Sequence, residues 1–269
     1  MTKKLVRSLI GDERIAQLRF ERDFLSDNRK DRPALFVHQM GKVGSTTLVR
    51  SIKEIDPPVP WRIYQTHFLS PEGRALVDDL ESKAYGGRSN LPLTTRISQT
   101  KNQTISKHLY AGDFSSRSAR KVISLVRDPI ATNLSGFFHN SHWWPDDLIA
   151  RCRSDAPGWK EELLDYFLGN YPHNVPAGGF EMEMKAVCGV DVFARDFDQQ
   201  AGYQIYESLA YPLFLLRLEN MNESMASVIS DFLDLDTLVL RRSNSASDKW
   251  YAALYKRFKE AMVLPTSYL

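Results

Sequence analysis

The chain has 269 residues, 43% of them hydrophobic and 25% charged, which is enough apolar material for a substantial core and the composition of an ordinary globular protein. Its 35 Lys and Arg against 33 Asp and Glu leave a formal charge of +2, so no global field directs it to nucleic acid and any anion site must come from local arrangement. Cys152 and Cys188 lie far apart, which argues against a disulfide framework or a cysteine-based zinc cluster; both are expected as small buried hydrophobes.

The basic start Met1-Thr-Lys-Lys-Leu-Val-Arg7 has no apolar run behind it, and the apolar stretch near Pro212 to Leu216 is far too short to span a bilayer. A cytoplasmic chain without an integral membrane segment is expected. Sequons at Asn102, Asn133 and Asn222 carry little weight without a secretory signal. Residues 3 to 29 place Ile15, Leu18 and Phe24 at helical spacing, predicting a helical N-terminal arm over residues 1–30 of a single domain. Ala34 to Val37 reads as a strand running into a glycine-rich turn, and Thr46 to Ile55 as a helix stopped by Pro57, Pro58 and Pro60. Trp61 to Tyr64 is a second strand, and Ser70-Pro71-Glu72 opens a helix with serine as its cap. Residues 86 to 104 read as a polar surface loop. Val122 to Val126 is a strand, followed by Arg127-Asp128-Pro129 and a helix through Leu134, Phe137 and Phe138. Leu213 to Leu218 is a further buried strand, with helices over 222–233 and 247–262. Strands alternating with helices predict a three-layer α/β fold with a central parallel sheet and helices on both faces.

In Gln39-Met-Gly-Lys-Val-Gly-Ser-Thr-Thr47 two glycines let backbone N–H groups approach an anion at the positive end of the following helix. This differs from a Walker A loop, because Lys42 precedes the second glycine and Ser45 follows it directly. Lys42 would set a point charge beside a phosphate anhydride, and Ser45, Thr46 and Thr47 add hydroxyls. At the second strand-to-helix turn, Arg127 and Ser135 are eight residues apart, about two helical turns, and could serve one further phosphate. A Walker B reading of Asp128 is the rival; Pro129 follows at once, and the first loop offers no magnesium partner.

Gly41-Lys42-Val43-Gly44-Ser45-Thr46-Thr47 resembles the 5′-phosphosulfate loop of the sulfotransferases, and Arg127 to Ser135 resembles their 3′-phosphate motif. Phe214 to Asn220, leading into Val228 to Leu235, is similar to the strand, turn and helix late in that fold. Asn244 to Tyr251, with Tyr255, Phe258 and Lys259, resembles a bacterial capsular polysaccharide synthesis group related to sulfotransferases. Departures are Asn220, Asp248 and Gln65, where the cytosolic enzymes carry a lysine. Trp250, Leu254 and Phe258 at helical spacing read as core rather than as a substrate platform.

The resemblance implies a P-loop-like sulfotransferase domain over 1–269. Its donor would be 3′-phosphoadenylyl sulfate (PAPS), its product adenosine 3′,5′-bisphosphate, with no metal and a carbohydrate hydroxyl or amine as acceptor. Gly41, Lys42, Val43, Gly44, Ser45, Thr46, Thr47, Arg127 and Ser135 would bind the nucleotide. Lys42 would stabilise the leaving phosphate. His67, at the carboxyl edge of the second strand, is the first choice of base and Asp113 the second. His38 reads as packed. The alternatives are a magnesium-dependent nucleotide phosphotransferase and a noncatalytic nucleotide- or glycan-binding protein of polysaccharide assembly. Acceptor choice would reside in residues 86–104 and 143–180.

Overall fold

The structure, a computed structural model, describes residues 11–29, 32–110, 120–207, 211–241 and 249–268. The chain divides into two compact units, Met1–Arg127 with Gly178–Arg241, and Asp128–Ala177 with Arg242–Leu269.

The first unit holds a five-stranded sheet of β1 (Ala34–His38), β2 (Arg62–Thr66), β3 (Arg120–Val126), β4 (Tyr203–Tyr206) and β5 (Leu213–Arg217), in the order β2-β1-β3-β5-β4. Around it lie α1 (Asp12–Arg29), α2 (Ser45–Lys53), α3 (Pro71–Tyr85) and α4 (Leu93–Tyr110). The strands alternate by residue between two apolar faces, as the two-residue side-chain period requires. Leu35, Val37, Ile123, Leu125, Phe214 and Leu216 meet Leu48 and Ile52 of α2 and Met225, Ile229 and Leu233 of the helix Glu223–Leu233. On the other face Ala34, Phe36, Val122, Leu213 and Leu215 meet Phe24 of α1, Ile105 of α4, and Met184 and Cys188. Both faces are covered, which gives the expected three-layer α/β fold. The sheet is mostly parallel: β4 runs antiparallel on the edge beside β5, and its four residues are too short to stand out in the sequence.

Residues 93–104 are helical, not a loop, because α4 packs against α1 and buries Thr100, Thr104, Ile105, Ser106 and His108. Those residues are largely polar, so their period is invisible to an apolar count. The segment 143–180 is likewise mostly helical.

In the second unit α5 (Pro129–His139), a 3₁₀ turn (Ser141–Trp143), α6 (Asp146–Ser154) and α7 (Trp159–Asn170) precede α8 (Val175–Gly179), whose end passes into the first unit. A π-helical turn (Phe180–Lys185) and α9 (Ala186–Cys188) follow; Glu223–Leu233 is α10 and Ala252–Ala261 is α11. The core of the second unit is aromatic, built on Phe137, Phe138, Trp144, Trp159, Phe167 and Phe258. Among the described residues no helix is long and apolar enough to cross a membrane.

Candidate functional site

β1 is flanked by β2 on one side and β3 on the other, so the chain turns outward in opposite directions from the β1–β3 pair. In open α/β sheets ligands bind at the carboxyl ends of strands at such a switch point. The segment leaving β1 there is the Gly41–Ser45 loop. Gly41 (φ 95°), Lys42 (φ 58°) and Gly44 (φ 82°) all have left-handed backbone. For lysine this conformation costs of order 1–3 kcal/mol, a strain that clusters at ligand sites. Left-handed residues in succession curl a loop so that backbone N–H groups gather into an anion-binding concavity. Gly44, the cap of α2, has no side chain with which to fill the positive end of the helix. A Cβ at Gly44 would stand 2.5 Å from Leu218 Cδ1, so glycine is required there for space as well as for φ. Below the loop, Val43 is buried in the core and Met40 fills the space that a side chain at Gly179 would take.

Ser45, the first residue of α2, is buried. Its Oγ accepts hydrogen bonds from Gln39 Nε2 and, at 2.8 Å, from Gln65 Nε2. With both lone pairs engaged, its own proton is left to donate to a third group. Gln65, at the position where the resemblance expects a lysine, thus orients a hydroxyl instead of supplying a charge. Thr46 is exposed and Thr47 half-buried on the first turn. Arg127, just past β3, donates from Nη1 to the Lys42 carbonyl at 3.2 Å, so the structure brings Arg127 to the loop itself. Ser135 lies half-buried on α5 in the second unit.

His67 is half-buried just past β2, and its Nδ1 is 3.2 Å from the Gln39 carbonyl oxygen. A carbonyl only accepts, so Nδ1 carries the proton and the neutral ring has its lone pair on Nε2. Burial holds the imidazole below its ordinary pKa; the Gln39 hydrogen bond opposes that and charge on His38 adds to it. His67 is therefore neutral at pH 7 with a basic Nε2. Asp113 lies outside the described residues.

His38 is packed, as expected, but in a polar setting that the sequence does not signal. Its Nδ1 is 3.0 Å from Thr66 Oγ1 and its Nε2 3.1 Å from Glu183 Oε2. Glu183 is 0% exposed and also accepts from Leu69 N (2.8 Å), Ser70 N (3.1 Å) and Ser70 Oγ (2.7 Å). Burial pushes its carboxyl up, but hydrogen bonding and charge from His38, with the Leu69 and Ser70 bonds, outweigh it and hold the group below the usual range. Glu183 sits on a π-helical turn, a form frequent at functional sites. One of two glutamates in Phe-Glu-Met-Glu-Met-Lys, Glu183 has no local signature that could have revealed it.

In the second unit Leu254 and Phe258 are buried as expected of core, but Trp250 is not. It precedes α11, is 47% exposed and lies under the Arg153 guanidinium at 4.5 Å. Cys152 and Cys188 are buried free thiols, pushed up by burial to about 11 and about 12. Among the described residues no three His, Cys, Asp or Glu side chains gather as a metal site.

No curated protein and no solved structure gives a significant match to the chain. Residues 161–269, which include Glu183, β4, β5 and the Lys249-Trp250-Tyr251 segment, match the family described as "Putative capsular polysaccharide synthesis protein" (NKWYS).

Proposed function

We propose that this chain is an enzyme of polysaccharide assembly that moves a sulfuryl group from 3′-phosphoadenylyl sulfate to a hydroxyl or amine of a glycan acceptor. The observation that carries the reading is the Gly41–Gly44 loop: three left-handed residues, one of them a lysine, opening a helix without a side-chain cap at the switch point of the sheet. Such a loop suits a doubly charged anion. Gly41 to Thr47 would hold the donor's 5′-phosphosulfate and Arg127 its 3′-phosphate. The donor supplies an activated sulfuryl on a mixed anhydride. Lys42 and the Ser45 proton favour the charge that collects on a departing phosphate. His67 Nε2 is suited to accept a proton from an acceptor hydroxyl, with Asp113 as the other candidate. The match to a polysaccharide synthesis family supports a glycan acceptor.

The test is single-turnover transfer of labelled sulfuryl from PAPS to a panel of oligosaccharides, with and without EDTA. Transfer that survives chelation is expected, with His67→Ala lowering turnover about 10²–10⁴-fold while affinity for adenosine 3′,5′-bisphosphate is kept. If Asp113→Asn abolishes turnover in the folded protein and His67→Ala does not, the base is Asp113. Phosphoryl transfer from ATP that is lost in EDTA and restored by magnesium would replace this reading with a phosphotransferase.

A further inference from the structure

We infer that Glu183 is a positioning residue that acts on His67 through His38 and Thr66. The inference rests on the proposed role of His67 but is tested without it. At the last paired residues of β1 and β2, His38 and Thr66, and just past them, three bonds staple the two strand ends together. Gln39 N donates to Thr66 O at 3.2 Å, His38 Nδ1 meets Thr66 Oγ1 at 3.0 Å, and His67 Nδ1 donates to Gln39 O at 3.2 Å. The four residues are two adjacent pairs, His38-Gln39 and Thr66-His67, so the rotamer of His38 and the orientation of His67 are set by one small network. Glu183 anchors its far end. Besides facing His38, its carboxylate accepts from the backbone of Leu69 and Ser70, the segment that leads out of His67, and from the Ser70 hydroxyl that caps α3. Gly73 makes room for it, because a Cβ there would fall on Glu183 Oε1.

Charge follows the same path. His38 is the titratable group acting on His67. Glu183 faces His38 from the π-helical turn; Cys188 of α9 also feels Glu183 and stays a neutral thiol. Charge on His38 disfavours a proton on His67. Glu183 thus holds His67 in place.

The experiment is a ¹⁵N-histidine NMR titration of the wild type, Glu183→Gln and Thr66→Val, each checked for fold by its amide spectrum. The wild type should show the Nδ1-protonated tautomer at His67. Glu183→Gln should weaken the tautomer bias; Thr66→Val, which removes one staple bond at nearly constant shape, should weaken the bias as well. A His67 tautomer unchanged in folded Glu183→Gln overturns the inference; if that variant does not fold, an unchanged tautomer in Thr66→Val does so. Turnover then separates the two readings. An about 10–100-fold fall in kcat of Glu183→Gln with unchanged KM for the donor is expected. An NMR response without any sulfuryl transfer in the wild type sustains the network and discards the reaction.

Discussion

Two strand-to-helix turns leave the carboxyl ends of β1 and β3, and they treat the helix that follows in opposite ways. After β1 the chain coils through left-handed Gly41, Lys42 and Gly44, and α2 begins with no side chain bonded to its cap. After β3, Asp128 folds its carboxylate onto Ala131 N at 2.7 Å, with Pro129 next, and α5 is closed by its own sequence. A carboxylate at a helix N-terminus fills the place an anionic ligand would occupy and repels it. The second turn is thus closed by its own carboxylate, while in the proposed function the first is left for a ligand, with Arg127 reaching from the second turn to the first through the Lys42 carbonyl. The same contrast bears on the Walker B alternative, since the Asp128 side chain is engaged as a helix cap.

Breaking the first turn should have the largest effect. Gly44→Val forces a left-handed φ on a β-branched residue and drives its side chain into Leu218; affinity for adenosine 3′,5′-bisphosphate measured by calorimetry should fall by about 3 kcal/mol or more. Next comes Arg127→Ala, expected to weaken that nucleotide by about 1.5–3 kcal/mol, the range for a hydrogen bond to a charged group, and to erase any preference for a 3′-phosphate. Asp128→Ala should instead cost about 0.5–2 kcal/mol of unfolding free energy in urea without weakening the nucleotide. A result in which Asp128→Ala weakens binding more than Gly44→Val would invert the comparison.

The smallest effect is on pH. The folded pKa values of Glu183 and His67 are both depressed. Each therefore contributes stability that is present above its unfolded pKa and lost as pH falls, through the histidine range for His67 and lower, through the carboxylate range, for Glu183. Unfolding free energy should decline from pH 7 to pH 3, and the part of the decline below about pH 4.5 should flatten in Glu183→Gln.

Much of the sheet was legible because β1, β3 and β5 are continuous apolar runs buried on both faces. The turn at Gly41–Gly44 was legible for a different reason: closely spaced glycines after a strand leave few conformations open. What stayed hidden was carried by polar residues acting at long range. The buried residues of α4 include Thr100, Thr104, Ser106 and His108, which sequence patterns score as surface. Glu183 meets His38 across 145 positions of chain, and no local pattern announces such a pair. Trp250 misled in the other direction: its spacing to Leu254 matches a helix that starts two residues too late to include it.

In the proposed function the Gly41–Gly44 loop and Arg127 together form a site for a nucleotide carrying both 5′- and 3′-phosphates. Isothermal calorimetry of the wild type with adenosine 3′,5′-bisphosphate, ADP and ATP is the decisive measurement. The bisphosphate should bind most tightly, without magnesium, and Arg127→Ala should bring its affinity down to that of ADP. Equal or tighter binding of ATP, or a preference for the bisphosphate that survives Arg127→Ala, would contradict it.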